Sequence, residues 1–209
     1  MIRGRIVRMR QPEPRDVPLL NKWANDAALW NNLGGWHFPY PVESTAAWVE
    51  RAGSDPRNQV FSVEVPGEGL VGTASLNDID WKNRSAFHGL MLGEEKDRSR
   101  GLAMDSEFAI MRYAFDELGF NRLDADVVGF NERSLRMTAK CGWRVEGVRR
   151  GWYVRAGGTH DKVLLGILAD EYRKLVAELR YWDETVPLPI RAPAAAPAAP
   201  VASVPGTRV

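Results

Sequence analysis

The chain has 209 residues, 44% hydrophobic and 26% charged, enough for one globular core with some chain left over. Its 28 Lys and Arg against 27 Asp and Glu leave a net charge of +1, which gives no bulk attraction to nucleic acid or to an acidic membrane. The single cysteine, Cys141, excludes an intramolecular disulfide framework and a cysteine zinc cluster, and no run approaches the ~18 apolar residues of a membrane span. The opening "MIRGRIVRMR" lacks the apolar stretch of a secretory signal, so a cytoplasmic protein is expected.

Residues 5–11 alternate and read as a first strand, with Arg8 and Arg10 on its wet face. Residues 15–27 place Val17, Leu19, Leu20 and Trp23 on one side of an amphipathic helix. The stretch 30–44 reads as a loop by its Gly, Pro and Asn content, and it carries Trp30, Trp36, His37, Phe38 and Tyr40. Ser44 is the expected N-cap of a second helix through Trp48 and Val49. Three strands follow, at 59–66, 70–80 and 85–93, the first two joined at Gly67-Glu68-Gly69.

Residues 97–108, "DRSRGLAMDSEF", run from an Arg-rich turn through Gly101, Leu102 and Ala103 into a helix. Met104, Phe108, Met111, Phe115 and Leu118 recur at helical spacing, and Gly119 ends the run. Glycine at such a junction permits close approach to the backbone, and fresh helix amides there favour an anion. A strand at 121–130, a short helix at 131–143 and a long hairpin at 143–169 come next. A last helix is expected at 170–181, then a Pro- and Ala-rich tail from 187 that lacks the residues to order itself. The order is β-α-α-β-β-β-α-β-α-β-β, an α/β fold with a mixed, mostly antiparallel sheet flanked by helices. One domain over 1–182 with a disordered tail at 187–209 is expected.

Three pieces carry a resemblance. Arg98-Ser99-Arg100-Gly101-Leu102-Ala103 lies between a strand and a helix. Thirty residues on, Asn131 and Ser134 open a helix that ends in Lys140-Cys141-Gly142-Trp143. Glu146-Gly147, Arg150 and His160-Asp161 mark the closing hairpin. In this ordered set, over roughly residues 3–170, the chain resembles the GNAT acyltransferases, most closely their RimJ/RimL-like and spermidine acetyltransferase-like branch.

The resemblance implies an N-acyltransferase that uses acetyl-CoA as acyl donor, with no metal, and acts on a primary amine of a small molecule or peptide by direct attack in a ternary complex. It implies that the backbone of residues 99–103, with Arg98 and Arg100, rings the pyrophosphate, Gly101 and Ala103 being small enough to admit it. A solvated side chain is the equal alternative for Arg100. Asp105 and Glu107 are expected to point away. Met91, Leu92 and Gly93 would pair with the pantetheine arm like an added strand, and Asn131 belongs to the same cofactor-binding set.

The usual acid and base are partly absent. Phe87 stands where relatives place a Glu, and Thr138 where they place a Tyr. Ser134 is the candidate acid, or else a residue of the first turn behind an Asn131 N-cap. His88 is the candidate base, or else a packed residue of its strand. Asp80 reads as a turn residue, His160-Asp161 as a hairpin-positioning pair, and Trp152 and Tyr153 occupy the region where a partner carboxylate was sought. Trp30, Trp36, His37, Phe38 and Tyr40 either line the acceptor pocket or cap the core. Rival readings are the same fold with an aminoacyl-tRNA donor, a non-catalytic acyl-CoA-binding module, and an interaction protein working through its tail. A homodimer through the closing hairpin and the last helix is a further expectation.

Overall fold

A computed structural model describes residues 1–35, 39–97, 100–155 and 157–188. Eight strands form one sheet in the order β1-β2-β3-β4-β5-β6-β8-β7. They are β1 (Ile2–Arg3), β2 (Arg8–Arg10), β3 (Gln59–Val65), β4 (Gly69–Asp80), β5 (Ser85–Leu92), β6 (Arg122–Val128), β7 (Arg144–Arg155) and β8 (Gly158–Leu168). The helices are α1 (Val17–Ala24), α2 (Ala27–Asn31), α3 (Val42–Arg51), α4 (Leu102–Arg112), α5 (Glu132–Lys140) and α6 (Ala169–Glu178). Neighbouring strands are antiparallel except β5 and β6.

The mixed, mostly antiparallel sheet agrees with the expected fold, and three local details differ. The strand expected at 5–11 is only Arg8–Arg10, and a short strand not expected, Ile2–Arg3, precedes it and pairs with it. The amides of Arg5, Ile6 and Val7 all donate to the Asp105 carboxylate, at 2.6–2.8 Å, which draws that stretch out of the sheet. A five-residue helix, α2, starts just before the expected loop and runs into it; Asp26 caps it by accepting from Ala28 and Leu29. α3 starts after Pro41, so Ser44 lies inside its first turn and is not the cap.

Period-two alternation along the strands divides the core. Most of it lies between the sheet and α4, α5 and α6, with Phe108, Met111, Phe115, Leu123 and Tyr172 fully buried. A smaller cluster of Leu20, Trp23, Leu29 and Val49 holds α1, α2 and α3 together, and Met91 packs on it. α4 continues into a π-helical turn at Tyr113–Glu117, and Phe115 keeps the buried face going. Contact with the domain extends past α6: Tyr181 is buried, Arg5 donates to the Val186 carbonyl at 2.7 Å, and Leu188 packs on the core. The rest of the tail lies outside the described residues. Among the described residues no helix is long and apolar enough to cross a membrane.

One step in this topology creates a cavity. β5 and β6 share only three registered pairs, from Ser85–Arg122 to Phe87–Asp124. Beyond Phe87, β5 pairs with β4 alone, and beyond Asp124, β6 pairs with β8 alone. The two strands part, and the β6-facing edge of β5 carries no strand partner there.

Candidate active site

The parted strands open a cleft of about 540 Å³. Leu90, Met91 and Leu92 form one wall and Asp126, Val127 and Val128 the other. Gly101, Ala103 and Met104 of the α4 start close one end, α5 lies alongside, and Leu29, Asn32, Leu33 and Gly34 also border the cleft.

Gly101 has φ +80°, a left-handed conformation that an L side chain adopts only at a cost. It ends the loop and starts α4 with no side-chain cap, and the first helical N–H groups have no partner inside the helix. They carry the positive end of the helix dipole into the cleft mouth. Arg133, Arg136 and Lys140 of α5 also line it. This is a setting for a phosphorylated ligand: small residues, open amides and three cations. Asp105 and Glu107 of the same helix do not oppose it, because both are buried under the sheet. Asp105 is held by the N-terminal amides and by the Tyr181 hydroxyl at 2.7 Å. Glu107 accepts from the Trp143 indole at 3.1 Å.

The sequence candidates separate. Met91, Leu92, Gly101, Ala103, Asn131 and Ser134 all line the cleft. Asn131 accepts from the Ser134 amide at 3.1 Å as N-cap of α5 and donates to the Asn32 carbonyl at 3.1 Å, which ties α5 to the end of α2. The Ser134 hydroxyl has no hydrogen-bond partner among the described residues. Leu102 is 1% exposed, so its side chain belongs to the core. Gly93 does not line the cleft: its amide donates to Val71, and a Cβ there would lie 1.9 Å from the Trp23 ring. Its small size serves packing. The Arg100 guanidinium is engaged by Glu68 at 2.7 Å and Asp97 at 3.0 Å and does not line the cleft. Arg98, Ser99, Trp36, His37 and Phe38 lie outside the described residues. Trp30 and Tyr40 line a second cavity beside the first.

His88 is the clearest correction. It is 3% exposed and faces α4, where Nε2 lies 3.3 Å from Glu107 and Nδ1 lies 3.0 Å from the Ser75 carbonyl. Its ring stacks on Trp143. Burial lowers its pKa, but the Glu107 carboxylate and the Ser75 carbonyl outweigh that and leave it raised. Alternation along β5 turned His88 away from the cleft and into the core. Asp80 accepts from the Asn83 amide at 2.8 Å, as a turn residue does, and Asp161 accepts from the Gly151 amide across the hairpin at 2.8 Å.

The carboxylate that the sequence did not single out is Asp126. It sits on β6 where the strands part, lines the cleft, and its side chain is 8% exposed. The Tyr153 hydroxyl donates to one oxygen at 2.7 Å and Lys162 pairs with the other at 2.9 Å. Burial, then the hydrogen bond to Asp126, raise the Tyr153 phenol far above its ordinary range, so it stays a donor. Gly34 is required here: a Cβ would lie 2.8 Å from the Tyr153 hydroxyl and 3.0 Å from Asp126. Arg155 holds the adjoining Gly35 carbonyl at 2.9 Å, which straps the end of α2 over this pair.

Residues 7–144 match the family model of the acetyltransferase (GNAT) domain. The chain belongs to the GNAT acetyltransferase family. It is an acyl-CoA-dependent N-acetyltransferase, with acetyl-CoA as cosubstrate. It is similar to the SPbeta prophage-derived uncharacterized N-acetyltransferase YokL of Bacillus subtilis, 25% identical over 81% of this chain and 93% of YokL. YdaF of Bacillus subtilis, which also carries an N-acetyltransferase name, is 33% identical over 79% of this chain and 93% of its own. The fold is that of the spermidine N-acetyltransferase from Vibrio cholerae solved with CoA and spermine, at a TM-score of 0.73 and 20% identity, covering 80% of this chain and 98% of that one.

Proposed function

We propose that the chain transfers the acetyl group to a primary amine of a small molecule or peptide by direct attack, with both partners held in the β5/β6 cleft. Bound acetyl-CoA supplies an acetyl group already activated as a thioester. The α4 amides behind Gly101, with Arg133, Arg136 and Lys140, take the phosphates. The unpaired edge of β5 at Met91 and Leu92 offers backbone groups to the pantetheine arm, as an added strand would.

The acceptor amine reaches Asp126 from the α2 side of the cleft, where Leu29, Leu33 and Met91 border it. Asp126 receives the proton that the acceptor nitrogen gives up as it bonds to the acetyl carbon. Lys162 and Tyr153 orient the carboxylate, and each Asp126 oxygen keeps a second lone pair for the acceptor. The Ser134 hydroxyl donates its proton to the sulfur as the carbon–sulfur bond breaks, and recovers one from water. The observation that carries this reading is the buried Asp126 carboxylate lining the cleft at the parting of the strands. A homodimer would use the outer strand β7, where Val145, Trp152 and Val154 are exposed.

Thermal unfolding tests the donor side. A ligand that binds only the folded state at about a hundred times its Kd stabilises by ~2.7 kcal/mol. Acetyl-CoA raises the midpoint of the wild type and leaves Gly101→Glu unmoved. An equal rise in both would remove the α4 start as the phosphate site.

A further inference from the structure

A second cavity, of about 410 Å³, lies against the cleft under α1, α2 and α3 and shares Met91 with it. Its walls are aromatic: Trp30, Tyr40 and Trp48 converge on it. Two of these, Tyr40 and Trp48, are 40% and 38% exposed, so their rings are not spent on the core. The walls are fixed. The Trp30 indole donates to the Trp23 carbonyl at 3.0 Å. The Tyr40 backbone is gripped on both sides, its amide by Asn25 and its carbonyl by Asn21 and Asn25, at 2.9–3.0 Å.

The charge in this cavity is of one sign. Arg51 lines it, no Asp or Glu does, and among the described residues no carboxylate pairs with the Arg51 guanidinium. Of the nearby acids, Asp26 is occupied as the cap of α2, and Glu43 and Glu50 of α3 do not line the cavity. A polyamine brings several ammonium groups and would meet a like charge and no counter-charge here. A flat apolar body finds three rings to lie against, and an anion finds an unengaged guanidinium.

We propose that the acceptor is a primary amine with a flat apolar body and a carboxylate on the side away from the amine. The amine reaches the cleft past Met91, the body lies among Trp30, Tyr40 and Trp48, and the carboxylate pairs with Arg51. This rests on the acyltransfer reading above, since it assigns the acceptor of the same site.

Calorimetric titration of the purified protein tests it with three probes: para-aminomethylbenzoate, benzylamine and spermidine. Each is titrated into wild type and Arg51→Gln, with and without saturating CoA, so that no turnover intervenes. Para-aminomethylbenzoate binds at least about ten-fold tighter than benzylamine, a charge-assisted difference of ~1.4 kcal/mol, and Arg51→Gln erases the gap. Spermidine binds weakest. Equal affinity of the two aromatic amines, an unchanged gap in Arg51→Gln, tightest binding by spermidine, or no saturable binding of para-aminomethylbenzoate would each overturn the proposal. CoA titrated alone separates the two readings. Failure of CoA to bind counts against the donor site, while the CoA-free titrations still report on the second cavity.

Discussion

Asp105 and Asp126 are both buried carboxylates, and they are held in opposite ways. Asp105 accepts from three successive backbone amides and from the Tyr181 hydroxyl, all at 2.6–2.8 Å. Those amides cannot leave without unfolding the N-terminal segment. Asp126 is held by two side chains, Lys162 and Tyr153, and one side of it opens to the cleft. Burial with backbone partners makes a staple; burial with side-chain partners beside a cavity leaves one side of the carboxylate open to what binds there. Glu107 belongs with Asp105, because its partners, Trp143 and His88, are themselves buried.

Substitutions separate the two classes, beginning with the largest effect. Asp105→Ala leaves three amides, that of buried Val7 among them, and a buried phenol without a partner and costs on the order of 4 kcal/mol, read by denaturant unfolding. A loss under about 1 kcal/mol would mean that the N-terminal segment is not stapled there. Asp126→Asn keeps the shape and removes the base. The turnover number falls about a hundred-fold or more while the unfolding midpoint shifts by a few degrees at most. Unfolding on the scale of Asp105→Ala would move Asp126 into the structural class. Ser134→Ala lowers the turnover number about ten-fold, with acetyl-CoA affinity unchanged.

His88→Gln is the smallest in activity, less than about two-fold, because the ring lies outside the cleft. Its signature is in stability. The folded state raises the His88 pKa, chiefly through Glu107 acting against burial. The stabilisation is therefore complete below the unfolded value of about 6.5 and fades as pH rises through the folded one. The melting-temperature gap between wild type and His88→Gln should narrow as pH rises. A gap that widens would contradict a raised pKa.

Much of the fold could be read from the chain. The helical spacing of Phe108, Met111 and Phe115 and the turn at Gly67 are local signals, and local signals suffice for them. The start of α4 was legible because Gly101 sits at a backbone position that demands glycine. Two elements were not. Five-residue α2 is shorter than any periodic pattern can show. The strand at 5–11 is shortened to Arg8–Arg10 because Arg5, Ile6 and Val7 are held by Asp105, a hundred residues from Arg5 in sequence, which no local reading reaches.

The site divides the same way. Gly101, Ala103 and Ser134 line the cleft and stand at the starts of α4 and α5, which short stretches of sequence can signal. Asp126 was missed because in "RLDADVV" it looks like the wet face of a strand. Its meaning comes from Tyr153 on β7, Lys162 on β8 and Gly34 after α2, brought together by the sheet order. His88 was chosen for its chemistry, and only the alternation of β5 against α4 shows that it points inward.

The most direct measurement is calorimetric binding of acetyl-CoA to wild type, Ala103→Glu and Asp105→Asn, with a melting curve for each. Ala103 lines the cleft on a regular helix, so a carboxylate there repels phosphate without straining the backbone. The expected result is a crossed pattern: Ala103→Glu keeps its melting temperature and loses acetyl-CoA, while Asp105→Asn melts lower and still binds. If Ala103→Glu binds as the wild type does, or Asp105→Asn loses binding at its full stability, the division between cleft and staple is wrong.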